Sequence, residues 1–240
     1  MYELALIHAV KQSNLKEVKQ IFEQGIDKNC DEVCEAFTLA AADGELKILE
    51  FMLKQGVDIH LDYNGALRNA VINNNLITVK FLVENGADVN ADNSKAFILA
   101  CYEGDLEIVK YLFQKGANIH AKNEEALRYA VYEGQYEVAK FLIDNGADVC
   151  CEESRALRLA CDEGLLNMAE LLVEKGADIH AHKEDALIAA CENGHYDIVR
   201  FLVRNGANIH AQDNLALQYA IENDHTDIIE FLKECGALLE

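Results

Sequence analysis

Glycine recurs through this chain with a fixed step, and that step constrains the fold more than any other feature. The positions are Gly25, Gly56, Gly86, Gly116, Gly146, Gly176, Gly206 and Gly236. The first interval is 31 residues and every later one is 30. Each glycine closes an apolar run, where a helix C-terminus favours a residue tolerant of the left-handed region. An Ala-Leu or Ala-Phe pair keeps the same step, from Ala5-Leu6 and Ala36-Phe37 through to Ala216-Leu217. Between pair and closing glycine stands a break: Gly44, Gly104, Gly134, Gly164 or Gly194, with Ser13, Asn74 and Asp224 in the other repeats. All are turn-tolerant residues. The spacing predicts eight helix-turn-helix repeats across the 240 residues. Length alone would allow one or two globular domains. The step implies a solenoid, which grows by repeats and has no single central core. The expected fold class is all-α.

The second helix of each repeat carries the stronger pattern. Its centre reads Phe51-Met52-Leu53, Phe81-Leu82-Val83, Tyr111-Leu112-Phe113, Phe141-Leu142-Ile143, Leu171-Leu172-Val173 and Phe201-Leu202-Val203. Three apolar residues in a row cannot all face one neighbour, so each triplet is expected to be packed on several sides. Burying one such side chain contributes roughly 1.5–3 kcal/mol. A lone repeat leaves most of that area wet, so stability must come from stacking.

The end repeats depart from the pattern. The last triplet is Phe231-Leu232-Lys233 and the first is Gln20-Ile21-Phe22, with Glu17 where others have Ile48, Ile108 or Ile198. Polar outer faces mark capping repeats. The expected organisation is a single domain, 1–240, with an N-terminal cap at 1–30, internal repeats at 31–210 and a C-terminal cap at 211–240. It reads as a complete solenoid rather than a piece of a longer array.

Hydrophobic content of 51% with 26% charged residues marks a folded chain. Proline is absent, which suits helices joined by short turns. The net charge of -21 repels phosphate backbones and anionic lipid, so neither nucleic acid nor membrane is expected as a partner. A basic protein segment is the natural complement, although acidity alone also serves solubility. The opening MYELALIHAVKQ lacks a basic n-region and its apolar run is broken by His8, so no signal peptide is expected. No apolar run approaches the ~20 residues that span a bilayer. Cys101, Cys161 and Cys191 share one repeat position, a slot for a small buried residue. Reduced thiols and an intracellular, cytoplasmic setting follow as the expectation.

The repeat resembles the ankyrin repeat. The matching residues are Glu192-Asn193-Gly194-His195 at the turn, Phe201-Leu202-Val203 in the second helix, and Gly206-Ala207-Asn208-Ile209-His210-Ala211 after it. Gly86-Ala87-Asp88-Val89-Asn90-Ala91 is closer still to the family's GADVNA pattern, and all eight repeats match. Two departures stand out. The family's Thr-Pro-Leu-His opening is replaced by Ala-Leu-Arg, Ala-Phe-Ile or Ala-Leu-Ile, and the repeat is shorter by about three residues. The loss falls in the connecting loop, so the family's projecting β-finger is expected to be a stub with little or no strand. Repeats trimmed in this way resemble those of giant, mimivirus-like DNA viruses that infect amoebae, which would place the protein in a host-cell cytoplasm.

Candidate chemistry is sparse. His60, His120, His180 and His210 share one loop position with Asn29, Asn90 and Cys150. Stacked helices lie about 8–10 Å apart, whereas zinc ligands sit about 2 Å from the metal. Neighbouring copies cannot share an ion, so a structural role bonding loop backbones is expected. Cys30 with Cys34, and Cys150 with Cys151, lack a complete ligand set. No phosphate loop, GxSxG or singular carboxylate pair occurs. No catalytic residue, metal, cofactor or small-molecule substrate is expected. His195 and His225, at the turn, read as structural by the resemblance. Arg68, Arg128 and Arg158 would lie near the neighbouring repeat's loop by the same analogy, where each could bind carbonyls, pair with an acid or contact a partner.

The positions that vary where the scaffold does not are the functional candidates. One set ends the first helices: Asp43, Asn73, Tyr102-Glu103, Tyr132-Glu133, Asp162-Glu163 and Glu192-Asn193. By the resemblance these face a concave groove, together with loop tips such as Asp62-Tyr63-Asn64 and His182–Asp185. An aromatic pair in an acidic surround suits a Lys or Arg hot spot, although each Tyr could equally cover its neighbouring helix. Lys80, Lys110, Lys140 and Arg200 form a rival basic patch that surface solvation explains. The expected function is a monomeric, non-enzymatic protein-interaction scaffold that presents an acidic concave surface to a basic protein segment. The alternative is a substrate adaptor for a ubiquitin ligase. Such adaptors usually carry a further C-terminal recruitment segment, and the sequence stops soon after Gly236.

Overall fold

The computed structural model describes residues 2–238. Met1 and residues 239–240, the extremes of the expected caps, lie outside the described residues. The chain divides into two compact units, Met1–Asn118 and Ile119–Glu240. The first holds α1 (Tyr2–Lys11), α2 (Leu15–Glu23), α3 (Asp31–Ala42), α4 (Leu46–Lys54), α5 (Leu61–Ile72), α6 (Leu76–Glu84), α7 (Ala91–Glu103) and α8 (Leu106–Gln114). The second holds α9 (Ala121–Tyr132), α10 (Tyr136–Asp144), α11 (Cys151–Asp162), α12 (Leu166–Glu174), α13 (Ala181–Glu192), α14 (Tyr196–Arg204), α15 (Ala211–Glu222) and α16 (Thr226–Glu234). Each unit is four helix-turn-helix repeats, and no strand occurs among the described residues. The all-α solenoid and the loss of the β-finger are both as the sequence implied.

Within each unit the first helices stack on one another: α1 on α3, α3 on α5 and α5 on α7, then α9 on α11, α11 on α13 and α13 on α15. Small residues permit that approach. Ala40, Ala70 and Ala100 in the first unit, and Ala130, Ala160, Ala190 and Ala220 in the second, are fully buried. Cys101, Cys161 and Cys191 fill the adjacent slot and are fully buried too. Burial pushes the Cys191 thiol up to about 12 and the other two higher still, so none is a nucleophile near neutral pH. In the second helices only the middle of each triplet is fully buried, as Met52, Leu82, Leu112, Leu142, Leu172 and Leu202 show. Its flanking residues are half-buried, apart from Leu171. The outer helix is therefore packed less completely than the apolar run suggested. Gln20 and Lys233, in the end repeats, are exposed.

The turn between helices works as expected. Ser13, Asn74 and Asp224 take positive φ like the glycines they replace. Asn14, Asn75 and Asp105 follow that turn and cap the next helix, accepting from the backbone N–H of Glu17, Thr78 and Ile108 respectively. Such caps each hold about 1 kcal/mol.

The shortened loop has a form that the sequence did not suggest. Three consecutive residues turn left-handed at Asp62–Asn64, Asp92–Ser94, Lys122–Glu124, Glu152–Ser154, His182–Glu184 and Gln212–Asn214. Each L-residue there costs roughly 1–2 kcal/mol against the right-handed form. Two sets of hydrogen bonds offset the cost. Arg68 donates to the carbonyls of Asp62 and Tyr63 and to the Asp62 carboxylate at 2.6–2.8 Å. Arg128 donates to the carbonyl of Asn123, and Gln218 to that of Asp213. In three of these loops the third left-handed residue is buried and reaches the following repeat. The side-chain oxygens of Asn64, Ser94 and Ser154 accept from the backbone N–H of Asp88, Asn118 and Asp178 at 2.8–3.2 Å.

Two expectations need correcting here. Arg68 clamps its own loop rather than a neighbour's, because the left-handed turn folds the tip carbonyls back over its helix. Arg158 does reach the neighbouring loop, pairing with Asp185 at 2.9 Å, and Arg128 lies 3.6 Å from Glu152. Three of the loop histidines bond a side chain of their own loop through the ring. His120, His180 and His210 pair Nδ1 with Glu124, Glu184 and Asn214, four residues on, at 2.5–2.9 Å. The left-handed turn brings that side chain under the ring. Asn90 and Cys150, at the same position, do bond the next loop, donating to the carbonyls of Gly116 and Gly176.

Candidate protein-interaction surface

The ends of the first helices and the turns after them form one edge of each unit. In the first unit Asp43, Asn73, Tyr102 and Glu103 are all exposed there. Asn73 donates back to the Asn69 carbonyl at 2.9 Å, closing its own helix. In the second unit Tyr132, Glu133, Glu163, Glu192 and Asn193 are exposed and Asp162 is half-buried. Tyr102 and Tyr132 are 38% and 49% exposed, so neither ring is absorbed into the core.

Asp162 and Asn193 hold the scaffold together. Asn193 Nδ2 donates to Asp162 Oδ1 at 2.9 Å and to the Ala189 carbonyl at 3.0 Å, and Arg158 approaches the same carboxylate at 3.8 Å. Asp162 also gives its backbone carbonyl to His195 Nε2 at 2.9 Å. A carbonyl only accepts, so Nε2 carries the proton. His225 makes the same bond to the Glu192 carbonyl at 2.9 Å. These turn histidines therefore tie one repeat to the one before it. The side chains of Glu133, Glu163 and Glu192 in this unit are exposed.

The fit behind His195 is close. Gly164 has φ 73°, and a Cβ added there would lie 2.6 Å from the imidazole. Both facts require glycine, because an L-side chain would strain the backbone and displace the ring. Gly134 has the same conformation, φ 66°, but faces Leu165, whose nearest carbon would lie 3.6 Å from an added Cβ. Leu165 is the residue sequence reasoning missed. Its column reads Asn14, Glu45, Asn75, Asp105, Gln135, Leu165, His195, His225, so it is the one apolar member. Tyr136 beside it is 38% exposed. In the first unit Ile72 and Ile77 flank a turn and are 46% and 68% exposed, a second apolar feature.

Among the described residues no three His, Cys, Asp or Glu side chains are arranged to hold a metal ion. No helix of the described residues is long and apolar enough to cross a membrane. Perturbed acids elsewhere have structural causes. Asp144 is held down to about 2 by hydrogen bonds from Lys140, one turn back on α10, and from Lys175, at the end of α12.

The family described as ankyrin repeats (3 copies) matches four overlapping segments of the chain, 37–123, 67–153, 97–183 and 157–239. No curated protein matches the sequence. Ankyrin repeats are general protein-protein interaction modules, typically without enzymatic activity. With helix-turn-helix repeats throughout the described residues and a family match over most of its length, this chain belongs to the ankyrin-repeat family.

Proposed function

We propose that the chain is a non-enzymatic scaffold whose helix-end edge binds a basic segment of a protein partner. One observation carries the reading: Tyr102 with Glu103, and Tyr132 with Glu133, are exposed aromatic-acid pairs at the same position of their repeats. A tyrosine presents a flat π-face to Lys or Arg, worth about 0.5–1 kcal/mol at an exposed site. The adjoining carboxylate adds charge attraction, and the net charge of -21 speeds encounter with a cationic segment. Asp162 and Asn193 contribute through the scaffold instead, because their side chains are already bonded to other repeats. The test is a chain with Glu103, Glu133 and Glu163 changed to Lys and Tyr102 and Tyr132 to Ala. It should no longer retain the partner that the immobilised parent retains, while melting at a similar temperature. Undiminished retention would place the binding surface elsewhere.

A further inference from the structure

At the turn between the fifth and sixth repeats lies a notch of about 330 Å³, walled by Gly134, Tyr136, Gly164, Leu165, Leu166 and Met168. Leu165 adds to the apolar wall made by Leu166, Met168 and the Tyr136 ring. The next notch along is nearly the same size, 320 Å³, and is built from the same backbone positions. There the equivalent residue is His195, whose ring is tied to the Asp162 carbonyl. Leu165 has no such polar atom, and it leaves a shallow apolar recess beside the exposed Tyr136 ring. The rim is acidic: Glu133, Glu137 and Glu163 adjoin the lining residues Gly134, Tyr136 and Gly164 in the chain, and all three are exposed. The nearest lysine on α10, Lys140, is committed to Asp144 at 2.7 Å.

We propose that this notch is an anchoring socket for one large apolar side chain of a protein partner, carried on a segment with Lys or Arg on either side of that residue. Apolar walls reward burial of the anchor by roughly 25 cal/mol per Å². An anchor in a pocket, ringed by polar contacts that exclude water, is the usual layout of a binding hot spot. The three rim carboxylates select basic flanks and reject acidic ones. The inference rests on the partner-binding reading above and adds to it an anchor and a place. Glu133 and Glu163 belong to both. Leu165, Tyr136 and Met168 belong to the socket alone.

The test uses the full chain and a displayed library of short random peptides. Enriched peptides should carry a large apolar residue beside Lys or Arg. Leu165→His installs the residue that the next repeat already accommodates, so the fold should hold, as a thermal melt would verify. It should weaken those peptides at least tenfold, and Tyr136→Ser, at an exposed position, should weaken them as well. Basic peptides that ignore both substitutions but are lost with Tyr102→Ala and Tyr132→Ala would overturn the socket and leave the partner-binding reading standing. Peptides that depend on Leu165 yet lack basic residues would overturn the assigned partner chemistry. A selection that enriches no basic peptide would overturn the socket and the partner-binding reading together.

Discussion

The notches at Gly134 and at Gly164 share their backbone and differ in the side chain that closes them. At Gly164 the lid is His195, within a methyl group's reach of the glycine and bonded to the Asp162 carbonyl at 2.9 Å. At Gly134 the lid is Leu165, a full van der Waals contact away and without a polar atom. The first arrangement fastens one repeat to the preceding one. The second gives up that bond and exposes apolar surface. A scaffold position thus becomes a surface feature through a single residue type, while the helices on either side keep their places. The repeat tolerates the exchange because the turn, not the lid, sets the chain's direction.

The comparison can be broken most sharply at the glycines. Gly164→Ala adds left-handed strain, roughly 1–2 kcal/mol, and pushes His195 off its carbonyl, at about another 1 kcal/mol. Gly134→Ala meets only the strain, since its added methyl would sit at 3.6 Å from Leu165. Denaturant midpoints should rank parent above G134A above G164A. Equal losses would mean that the His195 contact contributes nothing.

A smaller effect comes from exchanging the lids. His195→Leu removes one hydrogen bond, about 1 kcal/mol, and should turn the second notch into a second apolar recess. Leu165→His should gain a bond to the preceding helix-end carbonyl at a similar value. The double exchange should then melt near the parent temperature. Any peptide affinity found at the Leu165 notch should fall in the double exchange, because the next notch has Leu166 and Asn167 where this one has Tyr136 and Glu137. Affinity that persists would show that Tyr136 and Met168 suffice without Leu165.

The smallest effect is a pH dependence on the loop side. His180 donates to the Glu184 carboxylate at 2.7 Å, and that hydrogen bond, with Asp178 nearby, raises its pKa above the ordinary value. A raised folded pKa means stabilisation that is complete below about pH 6.5 and lost as pH rises through the folded value. The ring is largely exposed, so solvent screening keeps the effect small. Melting temperature should fall slightly from mildly acidic to alkaline pH. Glu184→Gln should flatten that slope, and an unchanged slope would assign it to another group.

Much of the fold could be read from spacing. Helix ends at Gly25 through Gly236, turns at Ser13, Asn74 and Asp224, and buried Cys101, Cys161 and Cys191 all follow from which residues tolerate which local conformation. The loop could not be read this way. Three left-handed residues such as Glu152-Glu153-Ser154 carry no local signal, because none favours that region. This run is held by the Ser154 side chain, which accepts from the Asp178 N–H of the next repeat, a bond that only stacking supplies. Leu165 could be seen in its column as the odd member, but its consequence needs Gly134 opposite it. The same holds for Asp162 and Asn193, which look like surface variation until the neighbouring repeat is in place.

Sequence by itself determined the period, the helix pair in each repeat and the acidic character, because these depend on local propensity and composition. Only the tertiary structure decided which side chains were spent on stacking. His195 was spent on the Asp162 carbonyl, Arg68 on its own loop, and Glu184 on His180. The His195 partner lies in the preceding repeat, where only the stacking of whole helices puts it, whereas those of Arg68 and Glu184 lie within their own loop, where the left-handed turn puts them.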